Sequence, residues 1–272
     1  MVKHAVVLFF VLVSSGCHVG THRVAQTPPS TNPHQTPTCA VAADLSYCRY
    51  PGPAPLLVLL TGLGNDMDAW PATFVHALNQ MAGVLTYDRR GHGRSAALRP
   101  APVTADTVAA DLRQLLDRLR IGHPVVLVGH SLGGLYAQYF ARHSPQQVAA
   151  VVLIDSASPF EPIADPRFET RATLVPGSTD DWENRGGDPS VLQTRQAPPF
   201  PRIPLLVLTA TDHGAPEAFE QAWQRIQAQT AVQSPLGRQV IAQGSGHYIH
   251  HDQPALVIDR IRQLVLQLHH GP

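Results

Sequence analysis

Short apolar runs alternate with amphipathic segments along most of this chain, and this alternation restricts the possible folds. Such runs, separated by helical patterns, are typical of strands that are buried on both faces of a parallel sheet. The sequence therefore predicts a doubly wound α/β domain with a mostly parallel sheet. The predicted strands are Leu56 to Leu60, Val84 to Tyr87, Val125 to Val128, Val151 to Ile154, Leu205 to Leu208 and Gln239 to Ala242.

Apolar residues at helical spacing occupy the intervals between these runs. A last helix is predicted from Pro254, because proline suits the first turn of a helix. The three clearest apolar faces are Val108, Leu112, Leu115, Leu116 and Leu119; Leu132, Leu135, Tyr136, Tyr139 and Phe140; and Val257, Ile261, Leu264, Val265 and Leu268.

Composition divides the 272 residues into one folded domain and an N-terminal appendage. Residues 1–17 are predicted to be a signal segment, 18–39 a flexible linker and 40–272 the folded domain. The linker is rich in Pro and Thr and has too few apolar residues to offset its chain entropy. An interval at about 159–201, rich in Pro and Gly, interrupts the strand and helix pattern, and its length favours a lid.

The first residues have the three-part layout of a secretory signal: Lys3, an apolar run from Ala5 to Val13, and small residues before Cys17. This layout resembles a bacterial lipoprotein signal, in which the cysteine is lipidated and tethers the protein to a membrane. An ordinary cleaved signal and an uncleaved anchor are the alternatives. The expectation is an exported protein, either held in the bacterial cell envelope or secreted to the periplasm or beyond.

Cys39 and Cys48 are the remaining cysteines. In an oxidising compartment an even pair favours a disulfide over a metal site, and the spacing fits no zinc pattern. Two free thiols are the alternative reading.

Acidic and basic residues balance, with 20 of each. The summed charge therefore gives no field for attracting nucleic acid or an acidic membrane, so partners of strong charge are not indicated. Lys3 is the only lysine, so the folded domain has none to serve as a base in a serine–lysine mechanism.

The run GHSLGG, from Gly129 to Gly134, fits the pattern G-x-S-x-G. It follows a predicted strand and precedes a helix that begins near Leu132, which is where a sharp turn would expose a serine hydroxyl. The helix N-terminus also favours negative charge that develops there. Ser131 is therefore predicted to be a nucleophile.

A serine hydroxyl needs a positioned base, which should follow a later strand. His247 meets this requirement, within a glycine-rich turn before the last helix. His250 and His251 lie at the approach to that helix, where exposed side chains are ordinary. A metal cluster of His247, His250 and His251 is disfavoured, because no carboxylate or thiol with ligand spacing accompanies it.

The third member of a triad must orient the histidine, and it should precede the histidine at the end of an earlier strand. Asp212, after the strand ending at Leu208, is the preferred candidate, and Asp155, directly after Ile154, is the rival. The backbone N–H groups of Leu63 and Leu132 are predicted to form an oxyanion hole. No phosphate-binding motif occurs.

These residues lie in six segments whose order and spacing resemble the α/β-hydrolase superfamily, from about Leu56 to Leu268. The segments are LLVLLTGLGNDMDAW, YDRRGHGRS, VVLVGHSLGG, VVLIDSASP, PLLVLTATDHG and GSGHYIHHDQP. The resemblance implies an α/β-hydrolase fold with a variable lid and no cofactor. It also implies that Asp88, Arg89 and Arg94 brace the active-site loops. Thr61 departs from the family pattern, since many relatives carry histidine there.

A serine at position 131 implies acyl transfer, because relatives that open epoxides carry aspartate there. The expected function is therefore serine hydrolysis of an ester-like bond in a small uncharged or apolar substrate, through an acyl-enzyme. Thioesterase, lactonase, amidase, perhydrolase and carbon–carbon hydrolase activities use the same triad and remain alternatives. A binding protein of the same fold, without catalysis, is a further alternative.

Overall fold

A computed structural model describes residues 36–98, 100–163 and 174–270. The predicted signal segment, Cys17 and most of the predicted linker lie outside these residues. Within them the strands are β1 (Thr38–Ala42), β2 (Leu45–Tyr50), β3 (Leu56–Leu60), β4 (Gly83–Tyr87), β5 (Val125–His130), β6 (Val148–Ile154), β7 (Leu205–Ala210) and β8 (Gly237–Ala242). All six predicted strands are therefore present, and several extend beyond their predicted ends.

The strands form one sheet in the order β1-β2-β4-β3-β5-β6-β7-β8. The pairings from β4 through β3, β5, β6 and β7 to β8 are all parallel, whereas β1 pairs with β2 and β2 with β4 in antiparallel fashion. The predicted mostly parallel α/β sheet is confirmed. The carboxyl ends of β5, β6, β7 and β8 meet at one edge, which is where open α/β sheets place their sites.

Helices cover both faces of the sheet. They are α1 (Ala72–Asn79), α2 (Ala105–Arg118), α3 (Leu132–His143), α4 (Thr179–Arg185), α5 (Gly187–Gln196), α6 (Glu217–Ala231), α7 (Ile249–Asp252) and α8 (Pro254–His270). Leu112 of α2 and Tyr136 of α3 belong to the core on one face. Phe74 of α1 and Ile261 of α8 belong to the core on the other face. The apolar faces predicted from the sequence are thus the buried ones.

The β1–β2 hairpin was not predicted from the sequence. It places Cys39 opposite Cys48, with their Cα atoms 4.1 Å apart, and the two residues form a disulfide. The hairpin begins at Thr38, slightly before the predicted start of the folded domain at residue 40.

Two helices, α4 and α5, occupy much of the interval that was predicted to be a lid. Residues 164–173 of that interval lie outside the described residues. In the part of the chain that the structure describes, no helix is both long enough and apolar enough to cross a membrane.

Candidate active site

Ser131 lies at the sharp turn between β5 and α3. Its backbone has φ 55° and ψ −128°, a left-handed conformation that costs a non-glycine residue about 1–3 kcal/mol. Such strain persists only where the surroundings impose it. The neighbouring glycines allow the close packing: a Cβ on Gly133 would lie 2.4 Å from the carbonyl oxygen of Leu60, and a Cβ on Gly129 would lie 2.4 Å from the Cα of Gly134.

His247 follows β8, and its neighbours tie it to the Ser131 turn. Its carbonyl oxygen lies 3.1 Å from Nε2 of His130, the residue that directly precedes Ser131. The rings of His130 and His247 have centroids 4.6 Å apart. Burial and the proximity of His247 hold the pKa of His130 well below its usual range, so the His130 ring is neutral.

His247 is paired with Asp155. Nδ1 of His247 lies 2.7 Å from Oδ2 of Asp155, whose side chain is fully buried at the end of β6. Asp155 directly follows the last residue of the strand and has a positive φ of 42°. A carboxylate in this place can orient the imidazole and stabilise its protonated form.

The structure therefore places Asp155, the rival of the preferred candidate Asp212, in contact with His247. Asp212 is exposed, and its Oδ1 accepts a 3.3 Å hydrogen bond from the N–H of Gly214 in its own turn. The turn after β7 directs Asp212 toward solvent and the next residue, His213, into the protein. That turn is held by the backbone N–H of Asp212, which donates to the carbonyl oxygen of Ser245.

Asp155 accepts hydrogen bonds at both carboxylate oxygens. Oδ2 lies 2.7 Å from Nε2 of His213 as well as from His247, and Oδ1 accepts from the indole N–H of Trp223 and the backbone N–H of Ala210. Burial alone would raise the pKa of Asp155. The hydrogen bonds from His213 and His247 instead hold that pKa well below its usual range. Asp155 is therefore ionised.

His213 bridges two carboxylates. Its Nε2 faces Asp155, and its Nδ1 lies 2.8 Å from Oε2 of Glu220 in α6. Burial would lower the pKa of His213, but the hydrogen bonds to Asp155 and Glu220 raise it to about 9. His213 is therefore a buried cation at neutral pH.

Asp155, His213 and His247 offer ligand atoms within 4.8 Å of one another and are the metal-compatible group among the residues with described positions. Those atoms already serve the hydrogen bonds between the three side chains, so an ion would have to displace them. The disfavoured cluster of His247, His250 and His251 is not such a group among the described residues. His250 is buried rather than exposed as expected, with its ring centroid 4.6 Å from that of Trp70.

The loop after β3, residues 61–66, is called the β3 loop and lies beside Ser131. A Cβ on Gly62 would lie 3.3 Å from Oγ of Ser131. Arg89 donates from its guanidinium to the carbonyl oxygens of Thr61 and Gly62, each at 2.7 Å. Because the C=O and N–H of a trans peptide point in opposite directions, this contact turns the N–H of Leu63 away from Arg89.

Glu183 of α4 connects the predicted lid to the same loop. Its carboxylate lies 2.5 Å from Nε of Arg89, and it also accepts from the backbone N–H of Gly64 at 2.9 Å. Burial would raise the pKa of Glu183, but the positive charge of Arg89 and the side-chain hydrogen bonds that Glu183 accepts lower this pKa to about 2. The buried pair therefore fixes the loop from two sides.

The bracing roles implied for Asp88 and Arg89 fit these contacts, whereas Arg94 is exposed and takes part through its backbone N–H. Arg89 holds the β3 loop, and Asp88 accepts from the backbone N–H groups of Met67 and Arg94. The parts that sequence reasoning missed are Glu183, Glu220 and the inward turn of His213. His213 could have been found from the sequence, since it directly follows Asp212. Glu183 could not, because it lies 94 residues from Arg89 and no local sequence pattern connects the two.

Comparison with known proteins supports this fold. Residues 55–186 match the family model described as alpha/beta hydrolase fold. A thermophilic esterase from Thermogutta terrifontis superposes with a TM-score of 0.61 at 20% identity, covering 86% of this chain and 99% of that one. The strand order, the helices on both faces and this superposition show that the chain has the α/β-hydrolase fold.

Two curated relatives extend the comparison. Protein YqjL of Bacillus subtilis is 28% identical over 207 residues, 74% of this chain and 79% of YqjL. A protein assigned as the carbamate hydrolase RutD of Pseudomonas savastanoi is 38% identical over 138 residues, 51% of this chain and 52% of that protein. The chain thus spans about half the length of this carbamate hydrolase relative.

Proposed function

We propose that the protein is a serine hydrolase that cleaves an ester-like bond in a small uncharged or apolar substrate, with Ser131, His247 and Asp155 as its triad. The observation that carries the proposal is the 2.7 Å contact between Nδ1 of His247 and Oδ2 of Asp155, beside a strained turn that bears Ser131. Because Nδ1 contacts Asp155, Nε2 is the ring nitrogen of His247 that would accept the proton.

In the proposed reaction Ser131 Oγ attacks the carbonyl carbon while His247 accepts the hydroxyl proton. The oxyanion is stabilised by the backbone N–H groups of Leu132, at the start of α3, and Leu63. Arg89 supports the second of these, because it holds the Gly62 carbonyl oxygen on the opposite side of the peptide. His247 then protonates the leaving group, and water releases the acyl group by the same steps.

We propose an apolar acyl group because apolar side chains lie in the β3 loop, which adjoins Ser131, and in α4, which contacts that loop. Leu63 in the β3 loop and Trp182 in α4 are both partly buried and pack against the core. These two segments are joined by the contact between Glu183 and Gly64.

Labelling with a fluorophosphonate tests the nucleophile. Wild type should be labelled at one probe per chain, whereas Ser131→Ala should not be labelled. The matched control is Ser144→Ala, which removes a half-buried serine hydroxyl at the opposite end of α3 and should be labelled like wild type. Equal labelling of Ser131→Ala, or no labelling of correctly folded wild type, contradicts the proposal. The second outcome favours a binding protein without catalysis.

A panel of substrates tests the acyl class. It should contain p-nitrophenyl esters of graded chain length, lactones, thioesters, amides and carbamates at matched concentrations. Carbamates are the second candidate, because of the 38% identity to the RutD relative over 138 residues. The ester proposal expects the highest kcat/KM for an ester, and a carbamate with the highest value would replace it.

Export to an oxidising compartment is part of the proposal. The disulfide between Cys39 and Cys48 supports it, because such bonds persist outside the cytosol. Cell fractionation of wild type and Cys17→Ala tests the site of attachment: a membrane-bound wild type that is released in the variant supports a lipid anchor.

A further inference from the structure

We propose that His213, supported by Glu220, is a positioning residue for the triad: as an imidazolium it fixes Asp155 toward His247. This inference rests on the proposed function. His213 directly follows Asp212, the acid preferred from the sequence. In the proposed triad the turn after β7 therefore contributes a cation that contacts Asp155, and it does not contribute the acid.

The contacts of His213 require its positive charge. Both ring nitrogens face carboxylate oxygens, Asp155 Oδ2 at 2.7 Å and Glu220 Oε2 at 2.8 Å. An ionised carboxylate only accepts hydrogen bonds, so both nitrogens of His213 must donate, and an imidazole that donates from both nitrogens is protonated. The backbone N–H of His213 also donates to Glu220 Oε1 at 2.8 Å, which holds the two residues together.

The same contacts immobilise Asp155. Oδ2 is shared by His213 and His247, and Oδ1 accepts from Trp223 and from the backbone N–H of Ala210, at 2.8 and 2.9 Å. Rotation of the carboxylate would break hydrogen bonds at both oxygens in a fully buried place, where an unpaired charge is costly. The imidazole of His247 is therefore oriented by an acid that cannot turn.

His213 and His247 lie close together around Asp155. Their ring centroids are 6.2 Å apart, and both rings contact the same carboxylate oxygen, Oδ2 of Asp155. The other groups around His213 are the carboxylates of Asp155 from β6 and Glu220 from α6, and the rings of Phe219 and Trp223. Those beside His247 are Tyr248 and the neutral ring of His130.

Glu161 adds a second carboxyl group whose titration is coupled to the charge of Asp155. Burial raises the pKa of Glu161 to about 8, so it carries little charge at neutral pH. Glu161 therefore adds little negative charge that would compete with Asp155 for the His213 cation.

The test measures histidine titration in protein that need not turn over substrate. Ser131→Ala protein with ¹⁵N-labelled histidine is titrated by NMR, with the His213 and His247 signals assigned by His213→Gln and His247→Gln. In the Ser131→Ala background we expect His213 to remain protonated beyond pH 8, since its pKa is raised to about 9. We expect His213 to titrate at lower pH when Glu220→Gln is added, because this variant removes one of the two carboxylates that raise the pKa of His213.

Kinetics in the Ser131 enzyme provide the second readout. For the best ester, kcat should fall in His213→Gln and in Glu220→Gln while KM changes little, because Asp155 loses the contact that fixes it toward His247. Glu217→Gln is the matched control, because it removes a carboxylate from the same helix as Glu220 at an exposed position, and it should leave both readouts unchanged.

Two results would overturn the inference: titration of His213 near the ordinary histidine value, or an unchanged kcat in folded His213→Gln. Both His213→Gln and Glu220→Gln are used so that a folding defect in one variant does not decide the outcome. If no ester is cleaved by wild type, the proposed function fails, while the NMR titrations still judge the role of His213.

Discussion

The Nδ1 atom of His247 and the Oδ2 atom of Asp155 lie 2.7 Å apart, and this contact assigns the acid of the proposed triad to the end of β6. The contact joins adjoining parts of one sheet edge, since β6 pairs with β7 and β7 with β8.

Exchange of each aspartate for asparagine distinguishes the two candidate acids. Asp155→Asn should lower kcat by a factor of about 10³–10⁴, because an amide cannot stabilise the His247 imidazolium and favours the wrong tautomer. Asp212→Asn should retain most activity, since its side chain is exposed. Rates on the best ester, with circular dichroism to verify folding, check this; a greater loss in Asp212→Asn would reverse the assignment.

The sequence was informative wherever one local pattern determined the outcome. Ser131 was located because an apolar strand, a glycine-flanked turn and an amphipathic helix occur in immediate succession. The acid of the proposed triad could not be located in this way, because Asp155 and Asp212 both follow strands. The choice depends on the backbone: φ at Asp155 is 42°, and the turn after β7 exposes Asp212 and buries His213.

Contacts between distant segments were also beyond sequence reasoning. The Arg89–Glu183 pair joins the segment after β4 to α4 across 94 positions, and no periodicity predicts which charged residue of the lid interval will be buried. The β1–β2 hairpin escaped for a different reason. Most of β1 is exposed, so its sequence lacks the apolar run that marks the central strands.

Replacement of Glu183 tests the connection between α4 and the β3 loop. Glu183→Gln should lower the free energy of unfolding by roughly 3 kcal/mol, because it leaves the buried Arg89 guanidinium without its counter-charge. It should also lower kcat, since Thr61, Gly62 and Gly64 lose part of their support. Urea unfolding and ester kinetics measure the two effects.

The matched control is Asp181→Asn on the same helix. Asp181 pairs with the half-exposed Arg185, so the variant should cost less than about 1 kcal/mol. The stabilisation from Glu183 should also depend on pH. Because its folded pKa is lowered to about 2, its contribution should be present at neutral pH and should be lost as the pH falls from about 4.5 toward 2. Equal stability of Glu183→Gln and wild type at pH 7 would contradict the prediction.

The strained backbone at Ser131 predicts an order of stability among inactive variants. Ser131→Gly should be more stable than Ser131→Ala, because glycine adopts φ near 55° without steric cost, whereas alanine retains the strain. The difference should be about 1 kcal/mol after the greater chain entropy of unfolded glycine is subtracted. Thermal unfolding of both proteins checks this, and a more stable alanine variant would argue against strain at the turn.

Removal of the disulfide should affect stability but not chemistry. Cys39→Ser/Cys48→Ser should lower the free energy of unfolding by about 2–3 kcal/mol, the expected effect of opening a short covalent loop. Catalysis should be nearly unchanged, because β2, β4 and β3 separate β1 from the strand that leads into Ser131. Urea unfolding with and without dithiothreitol provides the internal control: the reductant should destabilise wild type and leave the double variant unaffected. A large fall in kcat without loss of stability would show that the hairpin acts on the site.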